Sequence, residues 1–191
     1  MSEIIRAFIA VPISDELKEE IKTLQSHLKE KLKGEIIWSN PGNTHLTLRF
    51  LGHVNQEQIE IFKNILILIS KKIKSFTLDL GVLGAFPNLT RPRVIWIGIN
   101  AGFNELNQIN ALLEEEFSQI GFGYGEKYFH PHLTLARIKS LDEHINFGKA
   151  IQNIRSKRIV DKIERLILFE STLTPQGPIH KKIFEQKLPK D

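Results

Sequence analysis

No cysteine occurs among the 191 residues. That removes disulfides, a thiol nucleophile and thiolate metal sites from consideration. Long apolar runs are also missing. The longest candidate, ILILIS at Ile65–Ser70, falls far short of the ~20 residues a membrane helix needs, and Lys71, Lys72 and Lys74 follow it. The N-terminal MSEIIRAFIAV has no basic stretch leading into a long apolar one, so no signal peptide is expected. With cysteine absent as well, a cytoplasmic location is the expectation. There is no Gly-rich phosphate loop with its Lys, no Gly-x-Ser-x-Gly elbow and no dinucleotide fingerprint. Three large enzyme classes therefore lose their sequence support. Low-complexity segments and linkers are lacking too.

What remains is ordinary in bulk. Apolar residues make up 41% and charged residues 25%, as in most soluble globular chains. The length suits one domain with a real core, or two small lobes sharing one. Lys and Arg number 26 against 22 Asp and Glu, a formal charge of +4. That mild excess suits a polyanionic substrate without demanding one.

IIRAFIAVPI (Ile4 to Ile13) is short and apolar and reads as a buried strand. Ser14 offers an N-cap, with Asp15 and Glu16 in the first turn. Leu17, Ile21, Leu24, Leu28 and Leu32 then form one helical stripe. EIIWS and THLTLRFL read as strands about the turn NPGN. Asn55 opens a second helix, with Gln58 in capping-box position, running to about Lys72. FTLDLGVL and RVIWIGI read as strands. A third helix carries Leu106, Ile109, Leu113, Phe117 and Ile120 on one side and stops at Gly121. After the lead-in GYGEKYF comes a strand at HLTLARI. A weaker helix is expected from about Leu141 to Ile154, then strands at RLILFEST and HKKIFEQKL about the turn TPQGP. Direct β-β links among alternating elements favour α+β over a doubly wound parallel sheet.

The word HLTL occurs twice, at His45–Leu48 and at His132–Leu135, in a chain with only seven His. Side chains alternate along a strand. His45 and Thr47 therefore share one face, as do His132 and Thr134, while the leucines take the other. If the two strands face each other, two imidazoles and two hydroxyls line one cleft. That set suits displacement at phosphorus without a metal. A neutral imidazole accepts a proton and a protonated one donates, both forms being accessible near neutral pH. The hydroxyls can hydrogen-bond the non-bridging oxygens. A single His-x-Thr is more often a satisfied His beside a β-favouring Thr. Two in corresponding places favour function. His130 and His132 would share a face as a rival metal pair, but Pro131 lies between them and no Asp or Glu falls in the motif. His27, His53 and His144 read as surface residues.

These motifs, NTHLTLRFLG and FHPHLTLAR, resemble the paired signatures of the two-histidine phosphoesterase superfamily. Together with RAFIAVPI, RPRVIWIGI and LFESTLTPQGP, they are most similar to its branch of RNA 2',3'-cyclic phosphodiesterases, historically called 2'-5' RNA ligases. The likeness spans nearly the whole chain and implies a single domain over residues 1–191. That domain would be bilobal, with two pseudo-symmetric α/β lobes whose mainly antiparallel sheets face a central cleft.

The resemblance also implies a site and a reaction. His45 and His132 would be the acid–base pair, with Thr47, Thr134 and Arg137 on the phosphate. The reaction would be hydrolysis of an RNA-terminal 2',3'-cyclic phosphate to the 2'-phosphate, without metal or cofactor. Its reverse would be 2'-5' ligation. The expected partners are RNA ends, tRNA fragments among them, met by a monomer away from membranes.

Two positions sit less simply. Arg137 lies five residues after His132, so it reaches the cleft only if the strand ends or bulges near Ala136. Strict alternation instead puts Arg49 on the cleft face, a candidate RNA contact. His180 is a second candidate contact, where the family more often carries Tyr, so base preference differs there. The rival readings are the same chemistry on a small cyclic nucleotide, a 2'-5' oligonucleotide or a 3' oligouridine tail, and a catalytically silent RNA-binding domain.

Overall fold

The structure, a computed structural model, describes residues 4–123, 125, 128–175 and 177–190. Its elements run β1 (Ile5–Pro12), α1 (Asp15–Lys31), β2 (Gly34–Trp38), β3 (His45–Val54), α2 (Gln56–Ser70), β4 (Phe76–Leu78), β5 (Leu80–Phe86), β6 (Val94–Ile99), α3 (Phe103–Gln119), β7 (His132–Leu141), α4 (Phe147–Ile151), β8 (Asp161–Ile163), β9 (Arg165–Thr174) and β10 (Gly177–Lys187). A 3-10 turn at Pro41–Asn43 joins β2 to β3.

Two four-stranded antiparallel sheets result. The first has the order β10-β9-β1-β3 and the second β2-β7-β6-β5, with β4 and β8 as a separate pair. The α+β reading and the two-lobe arrangement hold. Each sheet borrows from the other half of the chain. Strand β2 lies in the second sheet, and β9 and β10 complete the first. The two motif strands, β3 and β7, lie in different sheets and come within 8 Å of each other, Cα to Cα.

The helices start where their caps allow. The Ser14 side chain accepts from the Leu17 N–H, and Asn55 with Gln58 closes a capping box, as expected. The α1 stripe from Leu17 to Leu32 is buried throughout. In α3 the stripe is buried from Leu106 to Phe117, but Ile120 is exposed, because the helix ends at Gln119 and Ile120 sits beyond its last turn.

Three boundaries differ from the sequence reading. FTLDLGVL divides at Asp79, whose backbone bonds Asn100 and Ala101, so β4 pairs with β8 while β5 pairs with β6. Strand β8, three residues long, carries too little pattern to be read. The fourth helix covers only Phe147–Ile151, because β7 holds the chain in the sheet as far as Leu141.

Candidate active site

Strands β3 and β7 begin at their histidines, and each buries its leucines. Leu46, Leu48, Leu133 and Leu135 are at most 2% exposed. His45, Thr47, His132 and Thr134 lie on the opposite, partly open faces. A cavity between the two strands is lined by Thr47, Phe50, Asn110, Phe129, His130 and His132. His45 and Thr134 share the strand faces of Thr47 and His132.

Both imidazoles are oriented alike. His45 Nδ1 lies 2.8 Å from the Asn43 carbonyl, and His132 Nδ1 lies 2.6 Å from the His130 carbonyl. A carbonyl only accepts, so Nδ1 carries the proton in each ring. Nε2 is then the ring atom that exchanges a proton, basic when the ring is neutral and acidic when it is charged. The 3-10 turn before β3 sets the first of these carbonyls.

Both strands then break alternation at the same place. In the β1–β3 pairing, Ala10 faces Thr47 and Ile9 faces Arg49, so Leu48 is skipped. In the β6–β7 pairing, Trp96 faces Thr134 and Ile95 faces Ala136, so Leu135 is skipped. Each is a bulge of one residue. After it, the strand faces exchange. Arg137 turns out of the core onto the face of His132 and Thr134 and is exposed, which meets the condition its spacing set.

Arg49 lines the cavity as well, and the structure adds what holds it there. Arg49 is 4% exposed. Its guanidinium forms an ion pair with Glu114 and donates to the Gly123 carbonyl, while Glu114 accepts from Gly125 N–H at 3.0 Å. Alternation fails at the bulge, and the side chain is committed to fastening the segment ahead of β7. Next in sequence, Phe50 is 54% exposed and holds the position in β3 that Arg137 holds in β7.

The sequence matches the family described as LigT like Phosphoesterase twice, over residues 11–96 and 97–180. The chain belongs to that family. Each match contains one His-x-Thr strand. The RNA 2',3'-cyclic phosphodiesterase of Aquifex aeolicus is 35% identical, covering 93% of this chain and 94% of its own. That of Methanocaldococcus jannaschii is 36% identical over 95% of this chain and 99% of its own. Among solved structures, TT0787 of Thermus thermophilus superimposes with a TM-score of 0.83 at 22% identity, over 98% of this chain and 100% of that one, a likeness of fold. E. coli LigT complexed with phosphate gives 0.72 at 25% identity, over 99% and 100%.

In this LigT-like site, rings back each histidine. His45 stacks on Phe8 at 4.7 Å between centroids and meets His180 edge-on at 5.0 Å. His132 meets the edge of Phe86 at 5.1 Å, and Trp96 lies between Phe86 and His130. Gly84 is what lets the Trp96 ring lie across β5, since a Cβ there would collide with the indole. The packing has an electrostatic consequence. Burial lowers the His45 pKa from 6.5 to about 4. The Asn43 carbonyl opposes that shift, and charge on His180 adds to it. His180 is itself lowered, chiefly by burial and then by Arg6. In the ligand-free protein His45 is therefore neutral at pH 7.

His180 stands against the rings of His45 and Phe8. His27, His53 and His144 are exposed, although His53 belongs to β3. Phe50 and Asn110 were not foreseen. A signal for Phe50 existed. Apolar residues run Leu46, Leu48, Leu51 and Leu133, Leu135, Ile138, a spacing of two and then three, which a straight strand cannot bury on one face.

Proposed function

We propose that this chain is a metal-independent RNA 2',3'-cyclic phosphodiesterase whose catalytic groups are His45 and His132. The observation that carries the reading is the matched pair of imidazoles, each with Nδ1 on the backbone carbonyl two residues before it, which makes Nε2 the ring atom that exchanges a proton. One imidazole takes the proton of the attacking water, and the other protonates the ribose 3' oxygen as its bond to phosphorus breaks. The product is the 2'-phosphate. The reverse reaction exchanges the roles and makes a 2'-5' bond. Each acid or base is worth ~10²–10⁴ in rate. Thr47 and Thr134 hold non-bridging oxygens, and Arg137 supplies the positive charge that binds the phosphate. Phe50 offers an open ring for the terminal base. The names of the relatives support this substrate class. All four motif side chains come from one chain, which supports a monomer. RNA fragments, tRNA pieces among them, met in the cytoplasm are the substrates this reading assigns.

The test is an oligonucleotide ending in 2',3'-cyclic phosphate, assayed beside the mononucleotide with EDTA present and the product isomer identified. Hydrolysis to a 2'-phosphate that survives EDTA is expected. Activity lost to EDTA and restored by a divalent metal, or a 3'-phosphate product, would refute the reading.

A further inference from the structure

The bulges that turn Arg137 and Phe50 outward on the motif strands have a cost. A residue skipped in the ladder keeps a backbone carbonyl that must find a donor elsewhere when buried. Both skipped leucines are buried, and both carbonyls are met by a side-chain amide from a helix of the other half of the chain. Gln25 of α1 donates from Nε2 to the Leu135 carbonyl at 2.9 Å, and its second N–H goes to the Ser39 carbonyl at 2.8 Å. The backbone N–H of Ser39 reaches the same Leu135 oxygen at 2.9 Å. One amide thus ties the end of β2 to the bulge of β7. Gln25 is 3% exposed, so water cannot replace it. In the other lobe, Asn110 of α3 donates from Nδ2 to the Leu48 carbonyl at 2.9 Å.

We infer that Gln25 and Asn110 are a matched pair of positioning residues whose amides hold the two bulges, and so set Arg137 and Phe50 outward on the motif strands. Neither amide touches the reacting atoms. Without Asn110 the buried Leu48 carbonyl loses this donor; without Gln25 the Leu135 carbonyl keeps only the Ser39 N–H and the Ser39 carbonyl loses its amide donor, and each strand relieves this by slipping back toward regular pairing. A slip of one residue reverses which face each later side chain occupies. Arg137 would then leave the phosphate. The cross-half origin of each amide also couples the lobes, because α1 sets the phosphate arginine of the second motif and α3 sets the ring of the first.

The roles given to Arg137 and Phe50 rest on the proposed function, so the test does not depend on turnover. Affinity for inorganic phosphate is measured by calorimetry for wild type, Gln25→Met, Arg137→Ala and the double variant. Met keeps the length of Gln and removes both donors. Each single variant should weaken phosphate binding roughly tenfold or more, the scale of a lost hydrogen bond to a charged group. The double variant should bind no more weakly than Arg137→Ala. Unchanged affinity in Gln25→Met, or losses that multiply in the double variant, would overturn the inference. Should Gln25→Met not fold, Asn110→Leu decides at the other bulge, with adenosine 2'-phosphate as the probe. Its loss should not add to that of Phe50→Ala but should add to that of Arg137→Ala, and any other pattern overturns the pairing. Turnover of the wild-type protein, run separately, reports on the proposed reaction alone.

Discussion

The depressed pKa of His45 makes acid stability a measurable property of the site. In the unfolded chain the imidazole titrates at its ordinary 6.5, and in the folded protein at about 4. Between those values the unfolded state binds the extra proton, so stability rises with pH across this window. The contribution is complete above pH 6.5 and is lost as pH falls toward 4. A fall of that size corresponds to roughly 3 kcal/mol at the limit, and partial exposure of the ring reduces it to about 2 kcal/mol. The physical source is burial of the ring against Phe8 and Phe169, which solvates imidazolium poorly. Denaturant unfolding of wild type and His45→Gln at pH 7 and pH 4.5 isolates it. Titrating groups away from His45 are common to both proteins and cancel, and the comparison is made in a His180→Gln background because His180 touches His45. Wild type should lose about 2 kcal/mol more than His45→Gln on acidification. Equal losses would show that His45 is solvated well enough to charge normally, and the claim that it stands neutral in the free protein would fail.

Arg49→Ala should destabilise the fold by about 3 kcal/mol, because it strips a largely buried carboxylate of its partner, and proteolysis near residues 123–125 should rise with it. Arg49→Ala should not behave as a lost RNA contact, which would lower oligonucleotide affinity at unchanged stability. Gly84→Ala should displace Trp96 and cost about 1–3 kcal/mol, seen as a lower Tm together with a shifted indole fluorescence. His132→Ala should leave the Tm within a few degrees of wild type while removing at least ~10² of any cyclic-phosphate hydrolysis. Oligonucleotide binding should weaken with salt by about −0.7 in log–log slope per phosphate contacted, whereas equal, flat salt curves for one-nucleotide and six-nucleotide ligands would point to a small nucleotide substrate.

Much of this was legible in the chain itself because its signals are local. The α1 stripe, the caps at Ser14 and Asn55, and the two His-x-Thr strands follow from spacing and side-chain chemistry alone. The breakdown came after the motif. Alternation predicts well for four residues and then fails at Leu48 and Leu135, because a bulge is fixed by the partner strand and by donors far away in sequence. Gln25 lies 110 residues from Leu135 and Asn110 lies 62 from Leu48, and no window along the chain contains both members. The partners of Arg49, Glu114 and the Gly123 carbonyl, were hidden for that reason, while the condition set on Arg137 was met for the same one. Lys127, a basic residue of the lead-in GYGEKYF, lies outside the described residues.

The exchange of strands between halves has a consequence for how the protein is born. Strand β1 is made first, yet it is flanked by β3 and by β9, whose residues begin at Arg165. The ribosome adds ~5–20 residues per second, so β1 waits roughly 10–30 s for its second neighbour. During that interval its apolar edge at Ala7–Ala10 is unpaired on one side, the situation in which chaperones bind nascent chains. His45 gains its backing from Phe169 only when the last strands emerge. The first sheet, and with it half of the candidate site, closes only after β9 and β10 have been made.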